Sequence, residues 1–204
     1  MLFLKKNTKD GVWAIWKIEE SKDELLSFLD NKTLLEKDVL SLKSESKVVE
    51  RLAVRVLLKH LLGKETEICY YTSGKPFLQN ENFHLSISHT HGYVAVILGK
   101  RDEIAIDIQY ITEKARSVRS KFVSEEEYID PQNELIHLLL HWSAKESLYK
   151  AIGKPGIDLR KELYIYPFMP DKYGQFDAIV KLDPFNQQFT ISYIATPEFV
   201  LTYI

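Results

Sequence analysis

The segment "HWSAKESLYKAIGKPG" at residues 141–156 combines the apolar residues of a packed helix with a line of charges. Lys145, Glu146 and Lys150 share one stripe of such a helix with its two aromatic residues, because helical residues three and four apart are neighbours. The stripe can be explained without any function as a solvent-exposed face of the helix. A Glu146–Lys150 ion pair on such a face would stabilise the helix by only a few tenths of a kcal/mol. A functional site becomes the better explanation of the charged stripe if the stripe faces a second carboxylate.

The surrounding sequence predicts where this helix begins and ends. Asp130 followed by Pro131 is a good cap and first-turn pair, and Gly153 suits the position beyond the last turn, so we predict a helix over 131–151. Four apolar runs of β-type composition then predict strands: "LYIYPF" (163–168), "FDAIVKL" (176–182), "FTISYI" (189–194) and "FVLTYI" (199–204).

The residues before 110 follow the same order of helix and then strands. A strand is predicted at 11–18 and a long helix ends at Gly63. The β-rich runs "EICYY", "HLSIS", "YVAVILG" and "IAIDIQ" come next, and "TSGKPFL" has the composition of a turn. We therefore predict an α+β fold of two similar halves, residues 1–102 and 103–204, with a boundary at "GKRDE".

Composition indicates a globular protein without an extended charged surface. Hydrophobic residues make up 45% and charged residues 27%, a balance that allows a buried core in 204 residues. The net charge of -2 argues against extended nucleic-acid binding, so any anion site must be local. Cys69 is the single cysteine, and no apolar run approaches a signal-peptide core or a membrane span. We expect a cytoplasmic protein with neither nucleic-acid nor membrane partners.

A strand aspartate is the first candidate to face the charged stripe. In "IAIDIQ" (104–109), side chains alternate, so Asp107 and Gln109 lie opposite the isoleucines. From this run alone a solvated strand face is the simpler interpretation. If Asp107 faces Glu146, however, two carboxylates from different elements can hold Mg²⁺, and nearby lysines can receive phosphate groups.

Hydroxyl and imidazole groups in "HLSISHTHG" (84–92) form a second candidate site. Ser88, His89 and nearby backbone amides are suited to a phosphate, although histidines at a strand end also serve structure. Zinc binding by His89 and His91 lacks a third ligand at useful spacing, and nucleophilic catalysis lacks a G-x-S-x-G elbow. Lys75, at the tip of "TSGKPFL", is either solvated or an anion contact.

Five segments in this order resemble the 4′-phosphopantetheinyl transferase superfamily, in its two-half form that includes the activators of peptide and polyketide synthetases. They are "GKP" (74–76), "SISH" (86–89), "IDI" (106–108), "FVSEEE" (122–127) and "WSAKESLYKAIG" (142–153). The resemblance implies two α+β halves with coenzyme A in the cleft between them. It also implies Mg²⁺-dependent transfer of phosphopantetheine from coenzyme A to a carrier-protein serine, with release of 3′,5′-ADP.

The resemblance assigns metal and proton-transfer roles to a few residues. Asp107 and Glu146 match the family's metal ligands, and Gln109 stands where many members of the two-half form have a third acidic ligand. An amide oxygen or a water can take that place, so we expect a site of lower negative charge. Glu127 matches a family acid and is a candidate base, with Glu146 as the rival. A helix macrodipole would also explain the acids at 125–127 without catalysis.

The resemblance also implies contacts to the coenzyme. Ser88 and His89 match residues at the coenzyme's phosphates, Lys75 and Pro76 match residues at its adenine end, and Lys145 or Lys150 would meet the pyrophosphate. Two further basic residues are expected contacts or else surface charges: Lys37 and Arg55.

The basic segment "KARSVRSK" (114–121) carries four positive charges and no acid. It is either a solvated segment or a surface for an acidic apo acyl or peptidyl carrier protein. A monomer is expected, because two halves in one chain need no second subunit to complete the cleft. Two other functions remain open: a relative that binds coenzyme A without transfer, and a metal-dependent phosphohydrolase using Asp107 and Glu146.

Overall fold

The computed structural model describes residues 1–31, 35, 39, 42–182 and 184–204. These residues group into two compact units, Met1–Asp102 and Glu103–Ile204. Each unit combines helices with an antiparallel sheet, so the predicted α+β class is confirmed.

The first unit contains a six-stranded antiparallel sheet in the order β1-β2-β6-β5-β4-β3. Its strands are β1 (Leu2–Asn7), β2 (Gly11–Lys17), β3 (Ile68–Tyr70), β4 (Pro76–Leu78), β5 (His84–Thr90) and β6 (Tyr93–Gly99). The sequence patterns missed β1 and β4. The run predicted as a turn contains both a turn and a strand, because Gly74 takes a φ of 85° and the chain then pairs with β3 from Pro76 onward.

The described residues before β3 include two helices with complete bounds. Helix α1 (Lys22–Ser27) begins with a capping box, in which the Ser21 hydroxyl accepts from the Glu24 amide and the Glu24 carboxylate accepts from the Ser21 amide. Helix α2 (Glu45–Leu62) ends at Gly63, which takes the predicted left-handed conformation with a φ of 72°. The apolar face of α2 packs against β2 and β6 and forms the core of this unit.

The second unit contains a five-stranded antiparallel sheet in the order β7-β11-β10-β9-β8. Its strands are β7 (Ile106–Tyr110), β8 (Leu163–Ile165), β9 (Tyr173–Leu182), β10 (Phe185–Ala195) and β11 (Phe199–Tyr203). Helix α3 (Lys114–Ser117) is short, whereas α4 (Glu134–Ile152) has 19 residues and packs across β7 and β11. None of the described helices combines the length and apolar character that crossing a membrane requires.

Helix α4 starts later than the sequence predicts. Asp130 forms a turn of its own: its carboxylate accepts from the Gln132 amide at 3.0 Å and from the Asn133 side-chain amide at 2.8 Å. This turn contains Pro131, and the helix begins only at Glu134. The predicted end is correct, since Gly153 closes the last turn with a φ of 64°.

Candidate active site

Asp107 lies on β7 with its side chain buried beside helix α4. It pairs in register with Thr202 of β11 and is 3% exposed, so the solvated strand face considered from the sequence does not apply. Strand alternation places its carboxylate on the face that α4 covers. A buried carboxylate requires a partner in the protein or a bound cation.

Lys150 of α4 provides that partner within the second unit. Its ammonium donates to Asp107 Oδ1 at 2.8 Å and to the carbonyl oxygen of Ile106 at 2.9 Å. The charged stripe of α4 therefore faces the aspartate of β7. Lys150 bonds to Asp107 instead of forming an exposed ion pair with Glu146.

Glu146 lies one turn before Lys150 on the same face of α4 and is half-buried. Burial raises the pKa of Glu146, the charge of Asp107 raises it further, and Lys150 opposes both effects. The side chain makes no hydrogen bond to any residue that the structure describes. Two carboxylates close enough to repel each other, with a single ammonium beside them, favour the binding of an additional cation.

The oxygen atoms of these side chains suit Mg²⁺. Gln109 lies two residues beyond Asp107 on the same side of β7, and its amide nitrogen donates to Asp107 Oδ2 at 2.8 Å. Magnesium prefers carboxylate and amide oxygens, and in phosphate-transferring sites it is held by one or two carboxylates together with waters and substrate phosphates. Across the described ranges no group of three or more His, Cys, Asp or Glu side chains is suited to a metal. Asp107 and Glu146 therefore fit a magnesium ion that substrate phosphates help to hold.

Lys145 points away from this cluster and forms a buried ion pair with Glu127. Its ammonium donates to Glu127 Oε2 at 2.8 Å and to the Phe122 carbonyl at 2.6 Å, and both charged side chains are 0% exposed. Burial lowers the pKa of Lys145, and the charge of Glu127 opposes that shift. Backbone amides of Ser124 and Ile165 bond to the Glu127 carboxylate at 2.8 and 2.9 Å.

The predicted roles of Lys145 as a pyrophosphate contact and of Glu127 as a base gain no support from this pair. Both oxygens of the carboxylate and the ammonium already have protein partners, and water cannot reach them. Of the two candidate bases, Glu146 is the one with solvent access.

The predicted coenzyme contacts at Lys75 and Pro76 lie in the first unit. The Lys75 ammonium donates to the carbonyl oxygen and to Oδ1 of Asp102, each at 2.8 Å. This hydrogen bond holds the pKa of Asp102 below its usual value. Pro76 begins β4 directly beside the turn. To contact an anion, Lys75 would have to share its charge with Asp102.

The remaining predicted contacts of the first unit differ in exposure. His89 is exposed at the end of β5, with Nδ1 3.4 Å from a carboxylate oxygen of Glu50, whereas Ser88 and Arg55 are buried. Lys37 lies outside the described residues. In the part of the chain that is described, His89 belongs to no metal-binding group, so the zinc alternative gains no support.

Three buried hydroxyls beside Asp107 were missed by the sequence interpretation. Ser143 and Ser147 of α4 and Thr202 of β11 are each 0% exposed and bond to one another. The available signal was the i, i+4 spacing of two serines on the same helix face as Glu146.

The basic segment is partly neutralised by nearby acids. Arg116 bonds to Glu113 at 2.7 Å and pairs with Glu134 of α4, and Arg119 lies 3.3 Å from the same carboxylate. Lys114 and Lys121 make no ion pair with any residue in the described ranges. The positive charge available to a partner therefore comes mainly from these two lysines.

Residues 103–203 match the family model described as the 4′-phosphopantetheinyl transferase superfamily. The matched range coincides with the second unit, so this unit is similar to that transferase superfamily. Asp107, Gln109, Glu146 and Lys150 all fall inside it. The search of curated proteins found no match to the chain.

Proposed function

We propose that the protein transfers 4′-phosphopantetheine from coenzyme A to a serine of an apo acyl or peptidyl carrier protein, with release of 3′,5′-ADP. The observation that carries the proposal is the cluster of Asp107, Glu146 and Lys150 inside the unit that matches the superfamily model. The two-half, activator-like form predicted from the sequence belongs to this proposal.

Phosphoryl transfer depends on positioning and charge neutralisation, and the cluster offers both. The serine oxygen forms a bond to the β-phosphorus, the bond from that phosphorus to the 3′,5′-ADP oxygen breaks, and the serine proton passes to a base. Magnesium, when bound, neutralises the pyrophosphate charge and orients its oxygens. Asp107 and Glu146 would hold it, with Gln109 as a neutral neighbour.

We assign the side chains of the site separate roles in the transfer. Lys150 can exchange its bond to Asp107 for one to a phosphate oxygen, because its ammonium is part-exposed while that of Lys145 is sealed. Glu146 is the candidate to accept the serine proton through a water, since it lies at the site and is only half-buried. We assign Lys75, Pro76, Ser88, His89, Arg55 and Lys37 to the coenzyme on the family resemblance.

One assay tests the proposal against both alternatives. The protein is mixed with coenzyme A, Mg²⁺ and several unrelated apo carrier proteins, and the carriers are weighed by mass spectrometry. Transfer adds the mass of phosphopantetheine to a carrier. Bound coenzyme without any mass gain would instead indicate a binding protein, and phosphate release without a carrier would indicate a phosphohydrolase.

Matched variants test the assigned metal ligands. Asp107→Ala and Glu146→Ala should each reduce transfer at least about 100-fold while the fold is retained, because either change removes a ligand oxygen. Thr190→Val, which removes an exposed hydroxyl from β10, serves as the control. Full activity in either ligand variant would refute the site.

A further inference from the structure

We propose that the hydroxyls of Ser143, Ser147 and Thr202 are a positioning device that sets the distance between Asp107 and Glu146. The inference rests on the proposed function, because it concerns the affinity of the same site for a divalent cation. The bonds of the three residues are to one another and to the backbone, and we assign them no contact with substrate or metal and no catalytic role.

The three hydroxyls connect the two elements that carry the carboxylates. Ser143 Oγ lies 3.1 Å from the Asp107 carbonyl oxygen and 2.9 Å from Thr202 Oγ1. Ser147 Oγ lies 2.8 Å from Thr202 Oγ1 and 3.3 Å from the Thr202 carbonyl oxygen. Thr202 is itself the residue of β11 that pairs in register with Asp107.

The chemistry of the hydroxyls fixes the direction of these bonds. A carbonyl oxygen only accepts, so Ser143 donates its proton to Asp107 and must accept from Thr202. Thr202 then uses its proton on Ser143, so the single proton of Ser147 is shared between Thr202 Oγ1 at 2.8 Å and the Thr202 carbonyl oxygen at 3.3 Å. Every proton of the three hydroxyls is used in one chain that runs from Ser147 through Thr202 and Ser143 to the backbone of Asp107.

This chain restrains α4 in a way that apolar packing does not. Burial of apolar surface is non-directional and tolerates small rotations and shifts of a helix, whereas hydrogen bonds require set distances and angles. Ser143, Glu146, Ser147 and Lys150 follow i, i+3, i+4 and i+7 spacing and therefore share one helix face. Because the serines alternate with the site residues, holding the serines holds Glu146 and Lys150 beside Asp107.

A metal site depends on such restraint. Ligand atoms must be held within about 0.5 Å of their productive positions, while a slip of one residue moves a helix about 1.5 Å along its axis. Loss of partners that orient metal ligands typically weakens affinity about 10- to 100-fold. We expect losses of that size when the central hydroxyl is removed.

The test compares Thr202→Val with Thr202→Ser in the full chain. Valine keeps the shape of threonine but removes the central hydroxyl, whereas serine keeps the hydroxyl and removes a methyl group. Binding of Mn²⁺ as a probe is measured by electron paramagnetic resonance titration with coenzyme A present and carrier absent, against a blank without protein, because substrate phosphates help to hold the ion. Thr202→Val should raise the Mn²⁺ Kd about 10-fold or more, and Thr202→Ser should restore it to within about threefold of the wild-type value.

The controls separate positioning from stability and from the proposed function. Thr190→Val on β10 removes a hydroxyl that bonds to Asp177 and should leave the Mn²⁺ Kd unchanged. Ser147→Ala should weaken Mn²⁺ binding in the same direction if Thr202→Val fails to fold. An unchanged Kd in folded Thr202→Val, or a loss that serine does not restore, overturns the inference. Absence of Mn²⁺ binding in the wild-type protein overturns the inference and the proposed metal site together.

Discussion

Two lysines five residues apart on one helix, Lys145 and Lys150, show how strongly surroundings decide the role of a residue. Lys150 is part-exposed and bonds to the carboxylate of the candidate site. Lys145 is sealed in the interior, where it joins α4 to the segment that contains Glu127. Sequence spacing placed both on one stripe, but the packing of α4 gives them different partners.

Substitution of each lysine by methionine should separate these roles. Lys150→Met should lower transfer sharply and should lower the free energy of unfolding less than Lys145→Met does, because Asp107 keeps its bond from Gln109 and the Lys150 ammonium is part-exposed. Lys145→Met should lower the free energy of unfolding by about 3–5 kcal/mol, because Glu127 is left as a buried charge without a partner. Urea unfolding and the carrier mass assay measure the two effects.

The double variant Lys145→Met with Glu127→Leu is the matched control for this prediction. It removes both charges and should recover much of the lost stability. A double variant less stable than Lys145→Met alone would contradict the assignment of a buried ion pair.

Glu146 should destabilise the metal-free protein at neutral pH. A carboxyl whose pKa is raised by folding favours its protonated form in the folded state, so stability is lost as the pH rises above the unfolded pKa. Glu146→Gln removes this cost. We expect a higher Tm than that of the wild type in the presence of a chelator.

The same variant should lose the stabilisation that Mg²⁺ gives the wild-type protein. Thermal unfolding with chelator and with Mg²⁺ provides both measurements. A Tm of Glu146→Gln below that of the wild type in chelator would show that the carboxylate is satisfied without a metal.

At the scale of the element, the first turns of α4 carry a second feature unrelated to the site. His137 and His141 are buried, with ring centroids 4.7 Å apart, and Phe168 packs against both rings. The His137 Nδ1 accepts from the Asp130 amide at 2.9 Å, and the His141 Nδ1 faces the carbonyl oxygen of His137 at 3.0 Å. Neither Nε2 atom has a hydrogen-bond partner among the described residues.

Protonation of these histidines should destabilise the second unit in acid. Burial lowers the pKa of His137 to about 4 and that of His141 to about 3, with Asp130 opposing the first shift and Lys145 and Arg119 adding to the second. A depressed histidine pKa gives stability that is complete above about pH 6.5 and is lost as the pH falls toward the folded values.

Urea midpoints measured from pH 7 to pH 4.5 test this expectation. The midpoint should fall with pH, and His141→Phe, which keeps a ring against Phe168, should reduce the slope. Because the raised pKa of Glu146 acts in the opposite direction, the comparison is best made in the Glu146→Gln background. A slope that His141→Phe leaves unchanged would assign the acid sensitivity to other groups.

The elements show which parts of the structure are predictable from sequence. Strand alternation and helix periodicity are local, so the patterns identified α4, most strands and the residues that bring Asp107 and Glu146 into one cluster. The Lys145–Glu127 pair and the hydroxyl chain depend on which element each helix face meets, and no local pattern specifies that. The late start of α4 has a local cause, since Asp130 bonds within its own turn.

At the scale of the whole molecule, the low net charge means that electrostatic attraction of the proposed carrier protein would have to come from a local patch. The chain has a net charge of -2 and so offers no long-range attraction to an acidic partner. Arg116 and Arg119 are already paired with acids of their own unit. Lys114 and Lys121 remain as the charges of the basic segment best able to contact a carrier.

Charge reversal at Lys114 and Lys121 should therefore weaken carrier binding selectively. The double Glu variant should raise the KM for carrier about 10-fold, leave the KM for coenzyme A unchanged, and lose its difference from wild type at high salt. Lys172→Glu, an exposed change elsewhere in the second unit, is the control. Equal rises in both KM values would argue against a carrier surface at this segment.

The bond between Lys150 and Asp107 implies an exchange of counterions at the site. In the metal-free protein the ammonium neutralises the aspartate; an arriving divalent ion would take over that task and release the ammonium toward the pyrophosphate. Metal and coenzyme should then each tighten the binding of the other by the same factor. Lys150 would thus occupy the site reversibly and keep the Asp107 carboxylate ionised until the metal ion and the coenzyme bind.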